Sequence, residues 1–257
     1  MNAASNRYVF ALMWSPGFAA LLACRILNKP ISSLGWRWGQ TKYQIQSYLI
    51  PLVYAAIVYL IIWLLGLGGF PDNTFIKATA DTFGWRNYSV FEVVVWQFLL
   101  TAVYSVLKGC ANTFGEELGW RGYLTPEFFK ITSYTKTSLI IGCIWSLWHY
   151  PVLIFANYNT GGNLLFSLTC FTVMTISLNF VYTWYRLKSK SLWTGVIIHS
   201  SHDIFIQNFF TPLTTNTGNT KFWYDEFGIL LPCISLAIAI YFWTKRNELN
   251  EANKNCA

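Results

Sequence analysis

The chain has 257 residues, of which 54% are hydrophobic, 19% aromatic and only 11% charged. Soluble domains carry about 25% charged residues, so this composition excludes an ordinary soluble enzyme. The net charge of +7 is spread between apolar runs rather than gathered in one patch. That argues against a nucleic-acid partner and for the loop asymmetry of a membrane protein.

Seven apolar runs follow in order, at about 8–24, 47–68, 90–108, 137–156, 163–185, 191–208 and 227–243. Each approaches the roughly 17–25 residues that a membrane-spanning helix needs. The runs are continuous rather than alternating, which excludes a strand barrel. The expected fold is all-α, a polytopic membrane helical bundle of about seven transmembrane helices. The first run contains Pro16, and the sixth is diluted by His199, His202 and Asp203.

Numbering the loops between the runs puts fourteen of the eighteen basic residues on one side, from Arg25 and Lys29 through Arg121 and Arg186 to Lys254. The positive-inside rule then predicts an outside N-terminus and a cytoplasmic C-terminus. The lipid bilayer is the first expected partner. Segments Gly66–Ser89, Asn157–Asn163 and Thr211–Lys221 are rich in Asn, Thr and Gly and read as outer loops. The polar tail from Thr244 reads as a fraying end.

One domain over 1–257 is expected, with its motif-bearing core at about 95–210. The six cysteines form no CxxC pair and read as small apolar packing residues. Cys256 stands second from the end, not fourth as a CaaX prenylation signal requires. No cleavable signal peptide is recognisable. The triplet Gly-Trp-Arg occurs at 35–37, 84–86 and 119–121 without matching flanks. The first two copies read as interfacial anchors, and the third follows a pair of glutamates.

The ionisable residues in or beside the runs are Glu92, Glu116, Glu117, Arg121, His149, His199, His202 and Asp203, and they include all three histidines. Such groups must be paired or face water, which marks a functional site. Glu92 reads as interfacial. Glu117 and Arg121 are four apart, on one helix face within ion-pair reach. Glu116 is turned about 100° away and is free to face something else. His149 lies about 12 residues, or roughly 18 Å, into its run, and His199 about 8 residues, or roughly 12 Å, into its own. Asp203 shares a helix face with His199. A carboxylate with two imidazoles suits two chemistries: a carboxylate base that activates water, or a metal site. The spacing HExxH is absent. No cofactor is expected, and zinc on Glu116, His149 and His199 is the alternative.

The stretch "EELGWR" (Glu116–Arg121), followed by "WSLWH" (Trp145–His149) and "HSSHD" (His199–Asp203), resembles the motif set of the CPBP family. These are the CaaX-protease and bacteriocin-processing membrane proteins, which include the type II CaaX prenyl endopeptidases. The resemblance covers about residues 95–210. It implies an intramembrane glutamic endopeptidase that acts on a peptide or protein substrate at the membrane. Glu116 would activate the attacking water, His149 would assist, and His199 and Asp203 would bind the developing oxyanion. Glu117 and Arg121 would hold the motif helix. The family usually carries Phe where Trp145 stands. Asp203 departs from members with Asn: an ionised aspartate cannot donate to an oxyanion, so it is either protonated or orients His199. His202 lies outside the motif and reads as structural. A non-proteolytic scaffold or bacteriocin self-immunity protein is the alternative function. The Asn-, Lys- and aromatic-rich composition suggests a bacterial plasma membrane, and the loop charges place the mouth of the site on the cytoplasmic side.

Overall fold

A computed structural model describes residues 3–155 and 163–249. The expected loop at 157–162 and the tail from 250, with Cys256, lie outside them. Eight helices organise the described residues. They are α1 (Ala3–Ile26), α2 (Thr41–Leu64), α3 (Asn73–Phe83), α4 (Val90–Ile131), α5 (Tyr134–Phe155), α6 (Leu164–Ser189), α7 (Trp193–Phe205) and α8 (Leu230–Thr244). Among the described residues the only strand-like pairing is an isolated bridge between Gly69 and Thr215.

Helices α2, α4, α5 and α6 are long and apolar enough to cross a membrane, and α1 and α8 carry shorter apolar stretches. The protein is a multi-pass helical membrane protein. Half of the apolar window of α6 is buried, against 17% for α4. Helix α6 is therefore the inner helix, with α5 and α8 against it, and α4 presents most of its first half outward.

Two expectations are corrected. The apolar run 90–108 does not end its helix there: α4 continues to Ile131. Its polar second half is satisfied inside the protein, as where Thr113 Oγ1 donates to the Val196 carbonyl at 3.3 Å. Helicity thus outlasts apolarity. The outer segment Gly66–Ser89 is not all loop. Asp72 caps α3 by accepting from the Phe75 amide at 2.8 Å, and Gly84 ends the helix at φ +74°. Ile76 and Thr79 form its buried face.

The second half of α4 packs against α1 at very short range. A Cβ on Gly115 would lie 2.6 Å from the Trp14 Cα, and one on Gly119 would lie 2.5 Å from the Pro16 Cβ. Two glycines four apart on one face let backbones approach as closely as membrane helix pairs do. Pro16 sits at this crossing within α1. The other side of α4 packs on α7, where Ser200 Oγ donates to the Val106 carbonyl at 2.6 Å. Helix α4 therefore holds its paired glutamates between α1 and α7.

Candidate active site

Glu116 and Glu117 are the last residues of a regular α-helical stretch of α4, immediately before a π turn at Leu118–Leu124. Such turns widen a helix and concentrate at functional sites. The two carboxylates diverge as helix geometry requires. Both are buried, Glu116 at 1% exposure and Glu117 at 0%.

Glu117 faces a structural cluster. Its Oε1 accepts from Arg121 Nη1 at 2.8 Å and from His199 Nδ1 at 2.9 Å. The Arg121 guanidinium lies 4.4 Å from the Trp145 ring centre and 3.9 Å from that of Tyr182. A buried ion pair stands its desolvation only with good geometry and added contacts, and the two aromatic faces supply them. Gly195 on α7 makes room for the cluster, because a Cβ there would lie 2.5 Å from Glu117 Oε2.

Glu116 faces the other way. Its Oε2 accepts from the Trp145 indole at 2.8 Å and from the Trp120 indole at 3.3 Å. Trp120 is four residues on from Glu116 along the same helix, and Trp145 comes from α5. The carboxylate lines an internal cavity of about 90 Å³ together with His149, His199, His202, Asp203, Gln207 and Glu226. The rest of the wall is largely apolar, with Trp148, Phe171, Met174 and Leu178.

His149 is oriented by its own helix. Its Nδ1 lies 3.0 Å from the Trp145 carbonyl. A carbonyl only accepts, so Nδ1 carries the proton and Nε2 keeps its lone pair. Trp148 and Phe171 flank the ring, with centres at 4.7 and 5.1 Å. His199 is oriented by Glu117, and its Nε2 lies 3.6 Å from Asp203 Oδ2, beyond a direct hydrogen bond. The carboxylate that holds His199 is thus Glu117, not Asp203.

The structure therefore brings Glu116, His149, His199 and Asp203 to one cavity and sets Glu117 and Arg121 behind it. The donor atoms that converge in a metal-like group are a different set from the one expected for zinc. Among the described residues they belong to His202, Asp203 and Glu226, all within 4.8 Å of one another.

Two participants, Glu226 and Trp120, were not singled out from sequence, and Trp145 was noted there only as the aromatic of its motif. Glu226 reaches the cavity from the segment between α7 and α8, and it accepts from Gln207 Nε2 at 2.9 Å. Trp120 and Trp145 bind Glu116 through their indole N–H groups. The available signal for Glu226 was an acidic pair, Asp225–Glu226, set directly before an apolar run in a chain with only 11 acidic residues.

Comparison with known proteins bears on the same region. Residues 93–205 match the family model described as type II CAAX prenyl endopeptidase Rce1-like. A protein of Methanococcus maripaludis named CAAX prenyl protease 2 is 35% identical over 136 residues, covering 51% of this chain and 46% of that protein. An uncharacterised Bacillus subtilis protein, YyaK, is 22% identical over 178 residues, covering 65% and 56%. The chain spans about half the length of the curated relatives it matches. The matched segment runs from the start of α4 to the end of α7 and contains all three motifs, so over residues 93–205 the chain is similar to the Rce1-like family, the CPBP group that its motifs resemble.

Proposed function

We propose that this protein is an intramembrane endopeptidase in which Glu116 activates the water that attacks a peptide bond. The observation that carries the reading is a buried carboxylate held by two indole N–H groups and lining a cavity shared with His149 and His199. Water poised between the Glu116 carboxylate and the lone pair of His149 Nε2 can lose its proton as it attacks the carbonyl carbon. Glu116 takes that proton and returns it to the leaving amine as the tetrahedral intermediate collapses.

The oxyanion of that intermediate needs a donor. With Nδ1 of His199 bound to Glu117, its Nε2 donates only as the imidazolium. Glu117 Oε1 lies 2.9 Å from Nδ1 on one side of the ring, and Asp203 Oδ2 lies 3.6 Å from Nε2 on the other. Asp203 then supports the donor instead of being one. Such a donor is worth about 10²–10³ in rate.

The loop charges support an outside N-terminus, a cytoplasmic C-terminus, seven spans and a cavity opening toward the cytoplasm. The substrate class is a peptide segment presented at the membrane, such as a peptide precursor or a processed protein terminus. The name of the Methanococcus relative makes prenylated peptides one class of probe.

The test is comparative peptidomics on membranes that carry wild type or Glu116→Gln at matched expression. New termini only with wild type support the reading. Identical profiles, with both proteins folded, favour the scaffold or immunity reading.

A further inference from the structure

The cavity holds a second constellation, of which the hydrolytic reading uses only Asp203. His202 Nε2 lies 3.3 Å from Glu226 Oε1, and with a carboxylate oxygen of Asp203 these atoms all fall within 4.8 Å of one another. Bonds of about 2.0–2.2 Å to a tetrahedral ion set donors about 3.4 Å apart. The His202–Glu226 pair already has that spacing.

Groups outside the trio preset its geometry. The Tyr54 hydroxyl, from α2, hydrogen-bonds His202 Nδ1 and leaves Nε2 as the ligand atom. Metal-binding imidazoles are oriented in this way by a partner on the other nitrogen. Gln207 does the same for Glu226, donating to its Oε1 at 2.9 Å. His202 and Glu226 are buried, at 5% and 4% exposure. No lysine or arginine is found among the described residues that line the cavity. The cavity volume of about 90 Å³ leaves room for a water at an open coordination position, since a water occupies about 30 Å³ in the liquid.

We propose that His202, Asp203 and Glu226 bind a first-row divalent metal ion of the zinc class. One imidazole and two carboxylates without a thiolate suit Zn²⁺ or Mn²⁺. Ca²⁺ and Mg²⁺ prefer six or more oxygen ligands, and Cu(I) prefers sulfur. This site is separate from a zinc on Glu116, His149 and His199, and it stands whether or not the protein cleaves peptides. A bound ion neutralises Asp203 beside His199 and ties α7 to the segment that carries Glu226.

The experiment measures metal, not activity. Full-length protein in detergent, purified without a histidine tag, is dialysed against Zn²⁺ and then against metal-free buffer. Retained metal is counted by mass spectrometry, and the zinc K-edge absorption spectrum reads the ligands. Expected is about one ion per chain with a nitrogen and oxygen shell. Retention should fall by at least about tenfold in Glu226→Gln and in the near-isosteric Asp203→Asn, and should be unchanged in Glu116→Gln. The proposal is overturned if folded wild type retains no zinc or manganese. It is equally overturned if the ion survives in folded Asp203→Asn and Glu226→Gln, if Glu116→Gln loses it, or if the spectrum shows sulfur ligands.

Discussion

His199 Nδ1 lies 2.9 Å from Glu117 Oε1, the same oxygen that accepts from Arg121 Nη1 at 2.8 Å. One buried carboxylate thus joins an imidazole on α7 to a guanidinium on its own helix. Removing it leaves Arg121, at 0% exposure, as an unpaired buried charge. Loss of one partner of such a pair costs about 3–5 kcal/mol. Glu117→Ala should lower stability by that amount in a denaturation series. Glu117→Gln keeps an acceptor and should cost clearly less. Equal stability of wild type and Glu117→Ala would contradict the role given to Glu117.

Gly195 should tolerate no side chain. Its Cβ would meet Glu117 Oε2 at 2.5 Å, whereas a Cβ on Gly122 would have its nearest neighbours at 3.4 Å. Overpacking a close-packed site costs about 1–3 kcal/mol. Gly195→Ala should fall in that range and Gly122→Ala well below it, both read from thermal unfolding in detergent. The reverse order would show that α4 and α7 are spaced differently.

Trp145 has two separable parts. Its indole N–H reaches Glu116 at 2.8 Å, and its ring face covers Arg121. Trp145→Phe removes the first and keeps the second. A hydrogen bond to a charged group is worth about 1.5–3 kcal/mol, so hydrolysis should slow more in Trp145→Phe than in Trp148→Phe. Trp145→Ala should in addition destabilise the protein. Equal rates in the two phenylalanine variants would show that the indole does not position Glu116.

Much of this arrangement was legible in the sequence because the bilayer narrows the options. Long apolar runs predicted helices, and the few charges near them marked the cavity. Glu116, His149, His199 and Asp203 were singled out on that ground, and the structure lines one cavity with all four. The continuity of α4 was not legible, because hydropathy ends near residue 108 while the helix runs on under cover of α1 and α7. Glu226 was missed because its partners, His202 and Gln207, are contributed by another segment, and loop composition carries no sign of such a contact. The orientation of His199 by Glu117 depends on the glycine at 195, a packing fact that only the assembled helices reveal.

The most direct test of the central claim is the initial rate of hydrolysis of the peptide identified by peptidomics. Purified wild type and Glu116→Gln would be compared in liposomes at matched unfolding temperature. The account predicts that Glu116→Gln loses about 10²–10⁴ in rate, the contribution of a positioned general base, with peptide binding retained. A folded Glu116→Gln that cleaves within about threefold of wild type, far short of that contribution, would contradict the assignment of Glu116 as the group that activates water.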